Sequence, residues 1–314
     1  MLQVIIFSFN RALQLKTLLD SMSHYIECTN YTVDVLYNVS SDEFSQGYNK
    51  LIEDCKPQAH IHFIKEENIS KLQALSEVFK VNGKSELKYF INSFRKKKHK
   101  TNFRRRLIEL LKENESSSVM FLTDDACFIE KTVISNDIVD WINATPFSRQ
   151  FSLRTGKGIN QEPDDVVSIG NQIEWIYYKH PLYTLWGYPF SVDAHIYNKA
   201  AIVKALSSCY FNNPNSLEGF VSLYAQKKKL FGTGRAFTRT RILSFPINIV
   251  QNVANNESLN ISVDELNQYY LQGYSLEYPL PEEITTFQNY PNSLTLKHPN
   301  KEVIVIKTSS TNKG

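Results

Sequence analysis

In the stretch Val119-Met-Phe-Leu-Thr-Asp-Asp-Ala-Cys-Phe128, an apolar run stops at two adjacent carboxylates, Asp124 and Asp125, and apolar residues then resume. A short apolar run bounded by polar residues reads as a buried strand of a parallel sheet. Two acids at the end of such a strand are costly to bury without a partner. A divalent cation shared with a phosphorylated ligand is an economical partner, because hard cations take oxygen ligands and keep open positions for phosphate.

Upstream, the same pattern recurs. Val4-Ile-Ile-Phe-Ser-Phe9 is an apolar strand, followed by Asn10-Arg11 and then by Leu13, Leu15, Leu18, Leu19 and Met22 at helical spacing. Tyr31 to Tyr37 alternates and ends in Asn38-Val-Ser-Ser-Asp42, residues 44–55 read as a helix, and His60-Ile-His-Phe-Ile64 is a third strand. Strands separated by helices favour parallel pairing with right-handed crossovers, and ligands of such sheets sit at the strand carboxyl ends. Ser8 to Arg11, Asn38 to Asp42 and Asp124-Asp125 therefore share one rim. The expected fold class is α/β, a mostly parallel central sheet flanked by helices.

Residues 70–94 have helical periodicity in two pieces, and 95–106 carry eight Lys or Arg in twelve positions. Downstream, Phe151 to Arg154 and residues 172–178 read as strands. Tyr183 to Phe190 is rich in aromatics, Val192 to Tyr197 alternates, and Asn212 to Gly219 is a turn opening into a helix. Composition shifts near residue 255, giving a main domain over 1–255 and a C-terminal extension over 256–314 whose last residues form a frayed tail.

With 314 residues, 42% apolar and 21% charged, the chain is long enough for a large core, and a net charge of +3 does not by itself imply nucleic acid. Cys28, Cys55, Cys127 and Cys209 are far apart, so neither a disulfide framework nor a zinc site is indicated, and reduced cytoplasmic thiols are the simpler reading. The first residues do not resemble a signal peptide, and no stretch is apolar enough to span a membrane.

Ser8-Phe-Asn-Arg11, the strand ending in Asn38-Val-Ser-Ser-Asp42 and the helix leading into Phe121-Leu-Thr-Asp-Asp125 resemble, in order and spacing, the GT-A glycosyltransferases, and are similar to the family 2 nucleotide-sugar enzymes. The resemblance covers roughly residues 1–250. It implies a Rossmann-like GT-A domain that transfers a sugar from a nucleotide-diphosphate donor to a hydroxyl of a glycan or lipid-linked acceptor. It also implies Mn²⁺ or Mg²⁺ on Asp125, with Asp124 facing the ribose or sugar and Ser8, Asn10 and Arg11 near the nucleotide. The expected base-reading acid at the second strand end is absent: Asn38 stands there, with Asp42 four residues on.

The remaining assignments keep their alternatives. Acceptor activation needs a carboxylate or imidazole beside the attacking hydroxyl. Glu218, opening a helix, and Asp193 are the candidates, although Glu218 also suits a helix N-terminus and Asp193 a buried hydrogen bond. His195, two residues from Asp193 along an alternating strand, is a possible metal ligand or a structural histidine. Arg104 in the basic run and Arg154 near the donor are candidate diphosphate contacts, and Arg235, Arg239 and Arg241 form a later basic cluster, read either as cover for the diphosphate when a loop closes or as surface charge. The run 95–106 as a whole reads as a solvated face or as a contact with an anionic membrane surface. Trp186 and Tyr188 supply an acceptor platform or core packing. The rival readings are a sugar-phosphate nucleotidyltransferase, disfavoured by the lack of a Gly-rich loop after the first strand, and a non-catalytic polyanion or membrane-surface binder.

Overall fold

The computed structural model describes residues 1–28, 30–78, 101–248, 258–259 and 261–308. The second helical piece expected before residue 95, the basic residues 95–100, the boundary at 255 and the terminal tail lie outside the described residues.

The chain opens β1 (Leu2–Phe9), α1 (Ala12–Tyr25), β2 (Ile26–Glu27), β3 (Tyr31–Asn38), α2 (Asp42–Cys55), β4 (Ile61–Lys65), α3 (Lys71–Val78) and α4 (Phe103–Glu113). Next come β5 (Ser118–Thr123), β6 (Ala126–Phe128), β7 (Thr132–Val133), α5 (Asn136–Ala144), β8 (Arg149–Ser152), β9 (Val167–Ile169) and β10 (Gln172–Ile176). The last part holds β11 (His195–Asn198), α6 (Lys199–Ser207), α7 (Pro214–Lys228), β12 (Thr233–Phe237), β13 (Ile242–Ser244), α8 (Val263–Leu271), β14 (Ser275–Glu277), β15 (Ser293–His298) and β16 (Lys301–Lys307).

One nine-stranded sheet organises these elements, in the order β4-β3-β1-β5-β11-β8-β12-β10-β9. From β4 to β5 all neighbours are parallel. The antiparallel partners β11 and β10 are the two strands that run against the rest, so the expected mostly parallel sheet is present. The central strands are apolar throughout because both faces are covered. Val4 and Ile6 join the core beneath α1 and α2, while Ile5 and Phe7 join the core beneath α4, α6 and α7. Alternate side chains of one strand thus serve two cores, the signature of a sheet buried on both sides.

The C-terminal extension shares the first of those cores. Leu266, Tyr270, Leu276, Leu294 and Leu296 are buried with Leu2, Val4 and Leu18. Its three-stranded meander, β14-β15-β16, lies against α1, where Thr17 Oγ1 donates to the carbonyl of Leu276. On α2, Gly47 leaves room for α8: a Cβ there would sit 2.2 Å from Asn267 Oδ1, and Asn267 Nδ2 donates to the carbonyl of Glu43. No helix among the described residues is long and apolar enough to cross a membrane.

Candidate active site

The carboxyl ends of β4, β3, β1 and β5 open, in that spatial order, onto a cavity of about 1470 Å³ that continues past β11 and β8. Glu66 follows β4, Asn38 ends β3, Ser8 and Arg11 flank the end of β1, and Thr123, Asp124 and Asp125 close β5. Beyond them lie Asp193 just before β11, Arg154 just after β8, and Glu218 in the second turn of α7.

Asp124 is buried, and both its oxygens are engaged. Oδ1 accepts from Arg11 Nη1 at 2.9 Å, and Oδ2 accepts from Ser8 Oγ at 2.8 Å and from the Phe9 amide at 3.1 Å. Burial pushes its carboxyl above the ordinary range, and the Arg11 guanidinium pulls the other way. Burial alone would also lower Arg11, but Asp124 and Asp125 outweigh it and hold the guanidinium charged. Arg11 Nε donates to Asn248 Oδ1 at 2.7 Å and Nη2 to the Asn248 carbonyl, so the cation is fixed in place. Asp125 is partly exposed, with Arg11 Nη1 3.4 Å away.

A second cluster faces these acids. Asp193 accepts from Thr123 Oγ1 at 3.0 Å and pairs with Arg154 Nη1 at 2.7 Å. The Arg154 guanidinium lies over the Phe287 ring, 4.3 Å from its centroid. Glu218 Oε1 accepts from Ser191 Oγ at 2.7 Å and from the Val192 amide at 3.1 Å. Burial, with Asp193 nearby, pushes the Glu218 carboxyl up to about 7, despite the opposing pull of Arg154. Asp193 is likewise raised, by burial first and by the charge of Asp125 against that of Arg154. The position of Glu218 is set by a firm helix start: Asn213 caps the amide of Ser216, the Ser216 hydroxyl answers it, and Pro214 occupies the first turn.

No protein-family model matches the chain, and no curated protein matches it. Among solved structures it is similar to S. aureus TarS 1–349 in complex with UDP, at 16% identity over 77% of this chain and 59% of that one, with a TM-score of 0.44. It is similar also to mouse xyloside xylosyltransferase 1, at 9% identity over 72% of this chain and 82% of that one, TM-score 0.37. A third is the mannosyltransferase PcManGT from Pyrobaculum calidifontis in complex with GDP-Man and Mn²⁺, at 16% identity over 50% and 36%, TM-score 0.29. The chain spans about 60% of the TarS fragment's length. These are distant likenesses, and the functional reading rests on the geometry of the site.

The structure gathers Ser8, Arg11, Asn38, Asp124, Asp125, Arg154, Tyr188, Asp193 and Glu218 around one cavity. Six other expectations are corrected. His195 is buried at 1% exposure with Nε2 3.3 Å from Tyr177 Oη, away from the cavity, and burial keeps its imidazole neutral. The alternation argument failed because Ala194 takes a left-handed backbone (φ 57°), so Asp193 and His195 do not share a face. Asn10 is spent on Ser40: Nδ2 donates to Ser40 Oγ at 2.7 Å and Oδ1 accepts from the Ser40 amide at 2.9 Å. Asp42 is exposed in the first turn of α2, where the helix dipole favours an acid, and does not line the cavity. Arg104 turns inward, with Nε on the Cys209 carbonyl at 2.9 Å and Nη2 on that of Ser207 at 3.2 Å, at the end of α6. Trp186 is core, 2% exposed and packed on Trp175, with Nε1 donating to the Ile159 carbonyl. The later basic cluster pairs elsewhere: Arg235 with Glu174, and Arg239 and Arg241 with Glu130.

Three contributors were missed. Glu66 lines the cavity beside Asn38, and burial raises its carboxyl to about 7. Thr285 to Gln288 supply a wall from the C-terminal extension. Tyr183 stands 71% exposed at the mouth, its ring 6.0 Å from that of Tyr188. The polar residue after the third apolar strand was a readable signal for Glu66, whereas nothing local in residues 285–288 announces a cavity wall.

The donors on this rim limit how a divalent cation could be held. Both oxygens of the buried Asp124 already accept hydrogen bonds, and among the described residues no group of three or more His, Cys, Asp or Glu is arranged to hold a metal. A closed protein cage is therefore absent from the described residues. Asp125, partly exposed on the cavity, fits a cation that takes one carboxylate from the protein and the rest of its ligands from phosphate and water.

Proposed function

We propose that the chain is a GT-A glycosyltransferase, transferring a sugar from a nucleotide-diphosphate donor to an acceptor hydroxyl. The observation that carries this reading is the ordering along the rim: a paired acid and arginine with one available carboxylate at the centre, and a raised carboxyl, Glu218, on the far side. Glu66, Asn38 and Ser8 line the half suited to the nucleoside, over β4, β3 and β1.

The charge balance supports the need for a cation. Among the described lining residues, five acids (Glu66, Asp124, Asp125, Asp193 and Glu218) stand against two arginines, Arg11 and Arg154, both held in ion pairs. A bare diphosphate entering that field would be repelled. A Mn²⁺ or Mg²⁺ ion on Asp125 would neutralise the leaving diphosphate.

The chain's own part is orientation and proton transfer. Glu218, with Oε1 held by Ser191 and Val192, takes the proton of the acceptor hydroxyl at its other oxygen. The acceptor oxygen bonds to the anomeric carbon as the bond from that carbon to the diphosphate oxygen breaks. A single displacement of this kind inverts the anomeric centre. Asp193, neutralised by Arg154, shapes the Glu218 environment and serves less well as base.

A thermal-shift screen of nucleoside diphosphates with Mn²⁺ tests the reading. A ligand at 100 times its Kd adds about 2.7 kcal/mol to stability. We expect a rise in Tm with at least one nucleotide, dependent on the metal and lost in Asp125→Asn. No shift with any nucleotide, or a shift untouched by Asp125→Asn, sinks it.

A further inference from the structure

The half of the cavity beyond Asp193 differs in chemistry from the half over β1, β3 and β4. Its lining is phenol and amide: Tyr183 and Tyr188, with Asn160, Gln161, Asn215 and Gln288 around them. The charged groups that bound it are Asp193, Glu218 and Arg154, and the one cation is already paired with Asp193. A phosphorylated or sulfated ligand would meet two acids and no available cation among the described lining residues.

A second, independent feature points to a ligand. Tyr183 has φ 74° and Gln161 φ 57°, left-handed conformations that a bulky side chain adopts only under constraint. Such strain costs on the order of 1–3 kcal/mol per residue and collects at ligand sites. The turn at Tyr183 is pinned on both sides, by Thr184 Oγ1 donating to the Pro181 carbonyl and by the Gly187 amide donating to Thr184 Oγ1. Gly187 is required there, since a Cβ would lie 2.0 Å from the Pro181 carbonyl oxygen. This constraint holds an aromatic ring out of the core and into the cavity mouth.

Resting on the glycosyltransferase reading, we propose that the acceptor is an uncharged carbohydrate whose ring lies on Tyr183 and Tyr188. The apolar C–H face of a sugar ring suits an aromatic face, while its hydroxyls suit amides, which both donate and accept. This geometry sets the attacking hydroxyl toward Glu218, which lines the same cavity and lies near enough for its charge to act on Tyr188. The described lining of this half thereby disfavours glycans carrying phosphate along their backbone, and phospholipid headgroups.

Ligand-observed saturation-transfer NMR on the full chain, without nucleotide, is the test. The probes are methyl glycosides of neutral hexoses and N-acetylhexosamines, short neutral oligosaccharides, and the 6-phosphates of the same hexoses. Neutral sugars should receive saturation through their ring hydrogens, and the phosphates should bind at least tenfold more weakly. Tyr183→Ala should lower the neutral-sugar affinity about tenfold. The Tyr183 side chain is largely exposed, so the variant should fold with an unchanged Tm. Tyr188→Phe keeps the ring face and should retain most of the binding. Tighter binding of the phosphates, no binding of any neutral sugar, or an affinity unmoved by Tyr183→Ala overturns the proposal. Because no nucleotide is present, failure here leaves the donor test with Asp125→Asn standing, and the converse also holds.

Discussion

At the scale of single residues, Glu218 has the sharpest consequences. An acid whose pKa is higher folded than unfolded binds its proton more tightly in the native state, so it costs stability once that proton is lost. With the folded value near 7 against an ordinary 4.5, stability should fall as pH rises through that window. Glu218→Gln keeps an oxygen for Ser191 and Val192 but has no charge to bury. It should raise Tm at pH 8, by about 2 kcal/mol of stability, while reducing kcat at least about 100-fold. The wild-type rate should show an acid limb near pH 7 that disappears in the variant. A lower Tm for Glu218→Gln at pH 8 would contradict the burial argument. Both Asp193 and Glu218 were readable from sequence as acids near a turn or helix start, but their pairing was not. It depends on Ser191, in the segment before β11, which accepts from the Asp193 amide and donates to Glu218 on α7, a contact across 27 residues.

At the scale of elements, strands were more legible than the side chains they present. The runs ending in Phe9, Asn38 and Thr123 read correctly because strands covered on both faces are apolar throughout, a pattern independent of long-range detail. The basic segment read less well: in its described part, Arg105 and Arg106 pair with Glu109 along α4 while Arg104 closes off carbonyls of α6. Charge density in sequence does not reveal which member of a run turns inward. The contact of α2 with α8 yields a test with an unusual sign. Replacing a helix-interior glycine with alanine ordinarily stabilises by about 0.5–1 kcal/mol. Gly47→Ala should instead destabilise, by about 1–3 kcal/mol, because the methyl group meets the buried Asn267 side chain. Chemical denaturation measures it, and a gain in stability would mean that α8 can withdraw without cost.

At the scale of the whole molecule, Leu294 and Leu296, in the C-terminal extension read from the composition shift near residue 255, are wholly buried in the same core as Leu2 and Val4. Core sharing of this kind has no local signature, since it joins positions nearly 300 residues apart. The full chain should therefore unfold in one thermal transition, and calorimetry resolving two would show that the extension folds on its own. The wall at Thr285–Gln288 adds a consequence in time. On the ribosome, domains form from the N-terminus as the chain emerges, at roughly 5–20 residues per second. The segments bearing Ser8, Asp124 and Asp193 are made well before Phe287, which packs on Arg154 beside the Glu218 cluster. A nascent chain that has reached residue 248 holds every acid of the site but lacks the ring that covers Arg154. Synthesis through Gln288 is thus the step that completes the described lining of the pocket, and a chain stopped short of it lacks that wall.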